Sequence, residues 1–192
     1  MENFDPEMLF PQSQEKINTR NEILNRSILS LGIEENQSII HFGCGSRNGS
    51  FAEYIQDIPV KYLGIDANGD VIQKLNESIK SDRVSFKEET MQSVMDRTSE
   101  EKTIYDWSIV DGLLDKNLYG DNQYDFIDTI IRKCLILSDA GLSIIMDSTY
   151  TKDDDDYNQD FLSAYIASMY NKFTIMRMNE HQYIFSIYKY YY

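Results

Sequence analysis

Three glycines, Gly43, Gly45 and Gly49, follow the short apolar run SIIHF (38–42) and precede the helix-like SFAEYI (50–55). Glycine lets a chain turn sharply and lets a ligand approach where a Cβ would collide. A strand, a glycine turn and a helix in that order aim backbone N–H groups and the positive helix end at a ligand. About twenty residues on, VKYLGID (60–66) ends in Asp66. A carboxylate at the carboxyl end of the neighbouring strand can accept hydrogen bonds from both hydroxyls of a ribose. The same aspartate could instead cap the helix that opens near Asn68, a common task for Asp. Turn and carboxylate together describe a nucleoside site. The spacing is Gly-x-Gly-x-x-x-Gly, because Asn48 stands where the dinucleotide fingerprint has its third glycine. No Tyr-x-x-x-Lys pair occurs in the chain, so the side chains of short-chain dehydrogenase chemistry are missing.

Other reactive groups are scattered. Cys44 and Cys134 are the only cysteines, and His41 and His181 the only histidines. They are too few for a disulfide scaffold or a zinc set, and no metal site is expected. The two thiols read as small reduced residues, one in a loop and one in the core. Asp111, Asp115, Tyr119, Asp147 and His181 could each deprotonate a nucleophile, but each alone reads first as a structural residue. The sequence identifies no catalytic residue.

Strand-like and helix-like segments alternate along the chain, the signature of βαβ units. Residues 12–31 form an amphipathic pattern with Ile17, Ile23, Leu24, Ile28 and Leu31 near helical spacing, and Gly32 ends it as a C′ residue. SIIHF and VKYLGID are two strands, with a helix at 68–80 after the second. VSFKE (84–88) is a third strand, followed by a helix to about Thr98, and IYDWSIVD (104–111) is a fourth. Residues 121–138 carry a broad apolar stripe through Phe126, Ile127, Ile130, Ile131, Cys134 and Leu135. Gly141 then reads as a break before a fifth strand, LSIIMD (142–147). A helix at 159–170 and two β-rich runs meeting at Asn179 to Gln182 close the chain as an antiparallel pair.

The totals fit a globular protein: 192 residues, 42% hydrophobic and 26% charged. That length holds one well-buried core, so a single domain over 1–192 is expected, with a helical segment at 1–36 and an α/β core at 37–192. No apolar run is long enough to span a bilayer, and MENFDPEM is not a secretory signal; a cytoplasmic location is the expectation. With 18 basic against 32 acidic residues the net charge is −14, a surface that repels phosphate backbones and argues against nucleic-acid and anionic-membrane partners.

Taken in order, SIIHFGCG, KYLGIDANGDVIQKL, YDWSIVDGLLDK, LILSDAGLSIIMDSTY and YIFSIYKY resemble small stand-alone class I S-adenosylmethionine-dependent methyltransferases of bacteria and their phages. The resemblance runs from about Ser13 to Lys189. It implies a Rossmann-like α/β fold: a mainly parallel seven-stranded sheet with a C-terminal antiparallel strand and helices on both faces. It implies S-adenosylmethionine as cofactor, with Phe42, Gly43, Cys44, Gly45 and Gly49 around its methionine and ribose. Asp66 would take the ribose hydroxyls, with Ala67 and Asn68 flanking the adenine. Glu89, Thr90 and Met91 stand where the family holds the adenine, and Asp111 and Gly112 where cofactor and substrate meet. Arg20 is a candidate for the cofactor carboxylate and equally an exposed helix residue.

The chain departs from the family in three places. His41 replaces an acidic residue two positions before the first glycine, the turn through Ser46, Arg47 and Asn48 is longer, and Thr90 aligns with the adenine carboxylate while Glu89 lies one residue off. The resulting reading is a methyltransferase acting on a small molecule or a protein side chain. The alternative is a methyltransferase-like binding or assembly module without catalysis. The Asn/Asp-Pro-Pro-aromatic motif of amino methylation on DNA bases is absent, and the oligomeric state is not encoded in any readable pattern. The run Asp153 to Asp156 reads as a solvated loop, since successive carboxylates point in different directions and do not converge on one cation. Titration with calcium or magnesium is therefore expected to give no tight stoichiometric binding. Tight binding that is lost on Asp-to-Asn replacement within the run would contradict this.

Overall fold

Short β-branched and aromatic runs favour a pleated, half-buried surface, and the runs read above as strands become strands. In the computed structural model the described residues are 19, 22, 23, 26, 31–45, 50–101, 104–114, 123–147, 159–178 and 182–189. The strands are β1 (Ser38–Phe42), β2 (Lys61–Asp66), β3 (Val84–Glu88) and β4 (Tyr105–Asp111). Helices α1 (Ser50–Ile55), α2 (Gly69–Ser78) and α3 (Met91–Glu101) lie between them. After β4 come α4 (Gln123–Leu137), β5 (Ser138–Asp147) and α5 (Gln159–Met169), then β6 (Phe173–Arg177) and β7 (Gln182–Tyr188).

These strands form a seven-stranded sheet in the order β3-β2-β1-β4-β5-β7-β6. The pairs from β3 through β5 are parallel, while β7 runs antiparallel to both β5 and β6. Parallel neighbours need long crossovers, which the helices supply. The strand order turns around at β1, which lies between β2 and β4. In open α/β sheets the carboxyl ends at such a switch point form a crevice.

Side chains alternate along each strand, so each face gathers its own apolar layer. One face collects Ile39, Tyr62, Phe86, Trp107 and Ile109 under Ile23, Leu31, Phe51 and Ile55 of the N-terminal region and α1, with Ile72 and Leu75 of α2. The opposite face collects Ile40, Phe42, Ile65, Val110 and Ile144 under α3, α4 and α5, through Val94, Ile127, Ile131 and Ile166. Thr19, Glu22, Ile23, Arg26 and Leu31 are helical, and Gly32 at φ +64° ends that stretch in the left-handed conformation expected of a C′ glycine. No helix among the described residues is long and apolar enough to cross a membrane. The acidic run Asp153–Asp156 lies outside the described residues.

The start of β5 corrects the sequence reading. The strand opens at Ser138, directly after α4, rather than at Leu142, and Gly141 sits inside it instead of in a turn. Ser-Asp-Ala-Gly has little intrinsic strand preference, but pairing with β4 at Ser138 and Gly141, and with β7 from Gly141 on, overrides it. Gly141 lies opposite Trp107 on β4 and opposite Tyr188 on β7. A Cβ there would lie 2.3 Å from the Ile187 carbonyl oxygen and 2.7 Å from the Trp107 ring. Trp107 in turn meets Tyr188 edge-on and donates its indole N–H to Gln37 Oε1 at 3.0 Å. Gly141→Ala is therefore expected to destabilise the fold by about 1–3 kcal/mol through overpacking. Differential scanning calorimetry would read this as a fall of roughly 2–12 °C in Tm. An unchanged Tm would show that the β4–β5–β7 junction yields freely.

Candidate functional site

The turn after β1 is pressed between its two neighbouring strands. Gly43 has φ +81°, and its N–H donates to the Ile65 carbonyl at 2.9 Å; Cys44 N–H reaches the same oxygen at 3.2 Å. A Cβ on Gly43 would lie 2.1 Å from the carbonyl oxygen of Asp111 at the end of β4. Only glycine accommodates both the left-handed backbone and that approach. Cys44 turns its sulfur away from the turn, onto Gly64, where a Cβ would lie 2.8 Å from Sγ.

Asp66 ends β2 opposite this turn. Its Oδ2 accepts the Gly45 N–H at 2.9 Å and its Oδ1 accepts the Asn68 N–H at 2.9 Å. Asp66 does not cap α2. That task falls to Asn68, whose Oδ1 accepts from Asp70 N–H at 3.1 Å and Val71 N–H at 3.3 Å. Gly45 packs so closely on α2 that a Cβ would lie 2.2 Å from Val71 Cγ1.

A third segment completes the crevice. Glu89 follows β3 and donates its N–H to the Asp66 carbonyl at 2.9 Å. Thr90 opens α3 by accepting the Ser93 N–H on Oγ1 at 3.1 Å. The Glu89 carboxylate folds back over this first turn, with Oε1 accepting from Ser93 Oγ at 3.0 Å and Arg97 Nη1 at 2.8 Å.

Between these segments lies a cavity of about 210 Å³. Phe42, Ile65, Ala67, Met91 and Leu113 make its walls apolar, while Gly43, Asp66, Glu89 and Thr90 supply polar edges. Beyond Asp66 it adjoins an open groove flanked by Asn68, Asp70 and Glu88, with no Lys or Arg among its lining residues. Seven residues singled out from the sequence thus meet around one space: Phe42, Gly43, Asp66, Ala67, Glu89, Thr90 and Met91. Gly45 stands behind Asp66, Asn68 faces the groove, and Cys44 and Asp111 are buried beside the turn. Gly112 follows Asp111 at φ +74°. Arg20, Gly49, Asp115, Tyr119 and His181, and the side chain of Asp147, lie outside the described residues. Ile65 and Leu113 were not singled out. Each reads as ordinary core, and the one available signal was an apolar residue, Leu113, in the loop directly after β4.

Burial sets the protonation states here. His41 is enclosed at 1% exposure, with Nδ1 2.7 Å from the Tyr62 hydroxyl and its ring edge-on to Phe51. Desolvation brings its pKa down to about 4, against an opposing pull from Asp111. Burial, and then the charge of Asp66, holds the Cys44 thiol far above its ordinary value, so it carries no nucleophilic thiolate. The neutral His41 has a consequence for stability. Its folded pKa lies below the unfolded value of 6.5, so between pH 6.5 and about 4 the unfolded chain binds more protons and stability falls as pH falls. The loss is expected to reach about 3 kcal/mol at the acid end. Urea midpoints of His41→Gln should fall less steeply over that window than those of the wild type. Parallel pH profiles would assign the acid sensitivity elsewhere.

No protein-family model matches the chain, and no curated protein matches it. Solved structures do. The chain is similar to magnesium protoporphyrin IX methyltransferase from Synechocystis PCC 6803 with bound SAM, at TM-score 0.66 and 12% identity, covering 99% of this chain and 100% of that one. It is similar to a human methyltransferase 10 domain containing protein, at TM-score 0.63 and 13% identity over 95% and 85% of the two chains. A SAM-dependent methyltransferase from Aquifex aeolicus matches at TM-score 0.57 and 14% identity, over 97% and 98%. Identities this low speak to architecture, and strand order, the reversed β7 and the two helical faces agree with it: the chain has the Rossmann-like fold of class I methyltransferases.

Proposed function

We propose that this protein is an S-adenosylmethionine-dependent methyltransferase whose acceptor is a small molecule or a protein side chain. The observation that carries this reading is the state of Asp66. An ionised carboxylate offers about four acceptor positions. Backbone N–H groups of Gly45 and Asn68 take one on each oxygen, which, among the described residues, leaves one on each for a pair of ribose hydroxyls. The cavity beside it has apolar walls suited to a flat base, supplied by Phe42, Ile65, Met91 and Leu113. S-adenosylmethionine supplies an electrophilic methyl on its sulfonium when bound. The protein's own work is then proximity, orientation and exclusion of water, which needs no signature catalytic residue. Gly43 and Gly45 keep the turn close to Asp111 and Asp66, so the amino-acid tail attached to the ribose would lie along this turn.

The acidic groove beside Asp66 weighs against a nucleotide carrying phosphate there, because Asp70 and Glu88 would repel it. The same sign of charge over the whole chain weighs against a nucleic-acid acceptor. One observation favours a binding or assembly module without catalysis. His41, in place of the family's acidic residue, turns into the Phe51–Tyr62 cluster rather than toward the cavity.

Thermal shift tests the cofactor directly. At about 100 times its dissociation constant a ligand stabilises the fold by roughly 2.7 kcal/mol, here about 5–10 °C. S-adenosylmethionine and S-adenosylhomocysteine are both expected to give such a shift, and NAD none. Asp66→Ala should weaken binding roughly ten- to a hundredfold. Absence of any shift with either adenosyl compound at millimolar concentration would remove the methyltransferase reading.

A further inference from the structure

The ion pair at the cavity wall is not needed to start α3, because Thr90 already caps that helix. Glu89 spans the first two turns of α3: Ser93 and Arg97 both donate to Oε1, and among the described residues Oε2 accepts no hydrogen bond. Glu89 is only 13% exposed, while Arg97 is 35% exposed. Its neighbours in the cavity wall are apolar, apart from Asp66 and Thr90. A carboxylate oxygen in such a wall is satisfied by a donor on whatever enters, and repels an acceptor.

We propose that Arg97, with Ser93, is a positioning residue for this cavity: it clamps one oxygen of Glu89 to α3 and leaves the other as a fixed acceptor, so that the site selects a base bearing an amino group over one bearing a carbonyl. The inference rests on the adenosyl reading and adds what decides the choice of base. An unclamped Glu89 has several rotamers that carry its carboxylate toward solvent. The clamp removes that freedom before the ligand arrives, and a preorganised acceptor discriminates more sharply than a mobile one. Because Arg97 is partly exposed, salt screens the clamp, and discrimination declines as ionic strength rises.

The experiment compares S-adenosylhomocysteine with its 6-oxo counterpart, S-inosylhomocysteine, by isothermal titration on the full chain. The wild type is expected to prefer the amino compound by about tenfold or more, the scale of one charge-assisted hydrogen bond against a repulsion. Arg97→Ala should lower that preference severalfold, chiefly through weaker binding of the amino compound, and Arg97→Lys should restore part of it. Ser93→Ala, a milder change, should lower it less. An equal loss for both compounds in Arg97→Ala, or an unchanged ratio in all three variants, would make the pair a structural staple of α3 and overturn the proposal. Wild-type protein that binds neither compound would instead remove the adenosyl reading, and this inference with it.

Discussion

The carboxylate of Asp66 joins three parts of the chain. One oxygen holds the turn after β1 through Gly45, the other holds the start of α2 through Asn68, and the backbone carbonyl of the same residue holds Glu89 after β3. None of these bonds works without the parallel pairing that brings the carboxyl ends of β1, β2 and β3 side by side. The fixed carboxylate also lines the crevice. A hydrogen bond to a charged acceptor is stronger than one between neutral groups, so this arrangement closes the local structure firmly.

Glycines set how close the remaining pieces come. Gly43 brings the turn against the Asp111 carbonyl, Gly45 brings it against Val71, and Gly64 makes room on β2 for the Cys44 sulfur. The cost is conformational, since each glycine is freer in the unfolded chain than any other residue. What is gained is a turn tied to β2 by three N–H groups, those of Gly43 and Cys44 on the Ile65 carbonyl and that of Gly45 on the Asp66 carboxylate. Beneath it, His41, Phe51, Tyr62 and Phe86 form a run of edge-on and tilted aromatic contacts. The imidazole is neutral in that setting, so the floor of the turn carries polar atoms without a buried charge.

Methyl transfer asks little of a protein beyond placing two reactants and excluding water. This explains how one sheet architecture serves neighbours that share about one residue in eight with this chain. Fold does not carry function by itself. The crevice at the carboxyl ends of the strands holds few polar groups: Asp66 held by two amides, Glu89 held by Arg97 and Ser93, and apolar walls between them. Their supports are local. Asn68 caps α2 and Thr90 caps α3, so Asp66 sits two positions and Glu89 one position ahead of a capping residue that secures the helix start independently.

The amino-acid sequence alone determined the alternation of elements, the glycine turn, the aspartate at the end of β2 and the reversed final strand. These rest on local patterns: β-branched runs such as VSFKE and YIFSIY, the apolar stripe of α4, and Gly32 at the end of a helical repeat. Tertiary structure decided the rest. Whether Asp66 or Asn68 capped α2 depended on the Gly45 N–H, which arrives from the turn after β1. Ser138 to Gly141 became strand because β4 pairs with Ser138 and Gly141 and β7 takes up the pairing at Gly141, a cooperative effect invisible to local propensity. Ile65 and Leu113 line the cavity although nothing distinguishes them from core residues by type, since an apolar side chain becomes a binding wall only when its neighbours stop short of it. Glu89 was visible as an acidic residue in the right region, but its clamp to Arg97 required two turns of α3 to form first. Residue type and spacing specify the path of the chain; which polar atoms are consumed by the fold and which remain for a ligand is settled only when the strands come together.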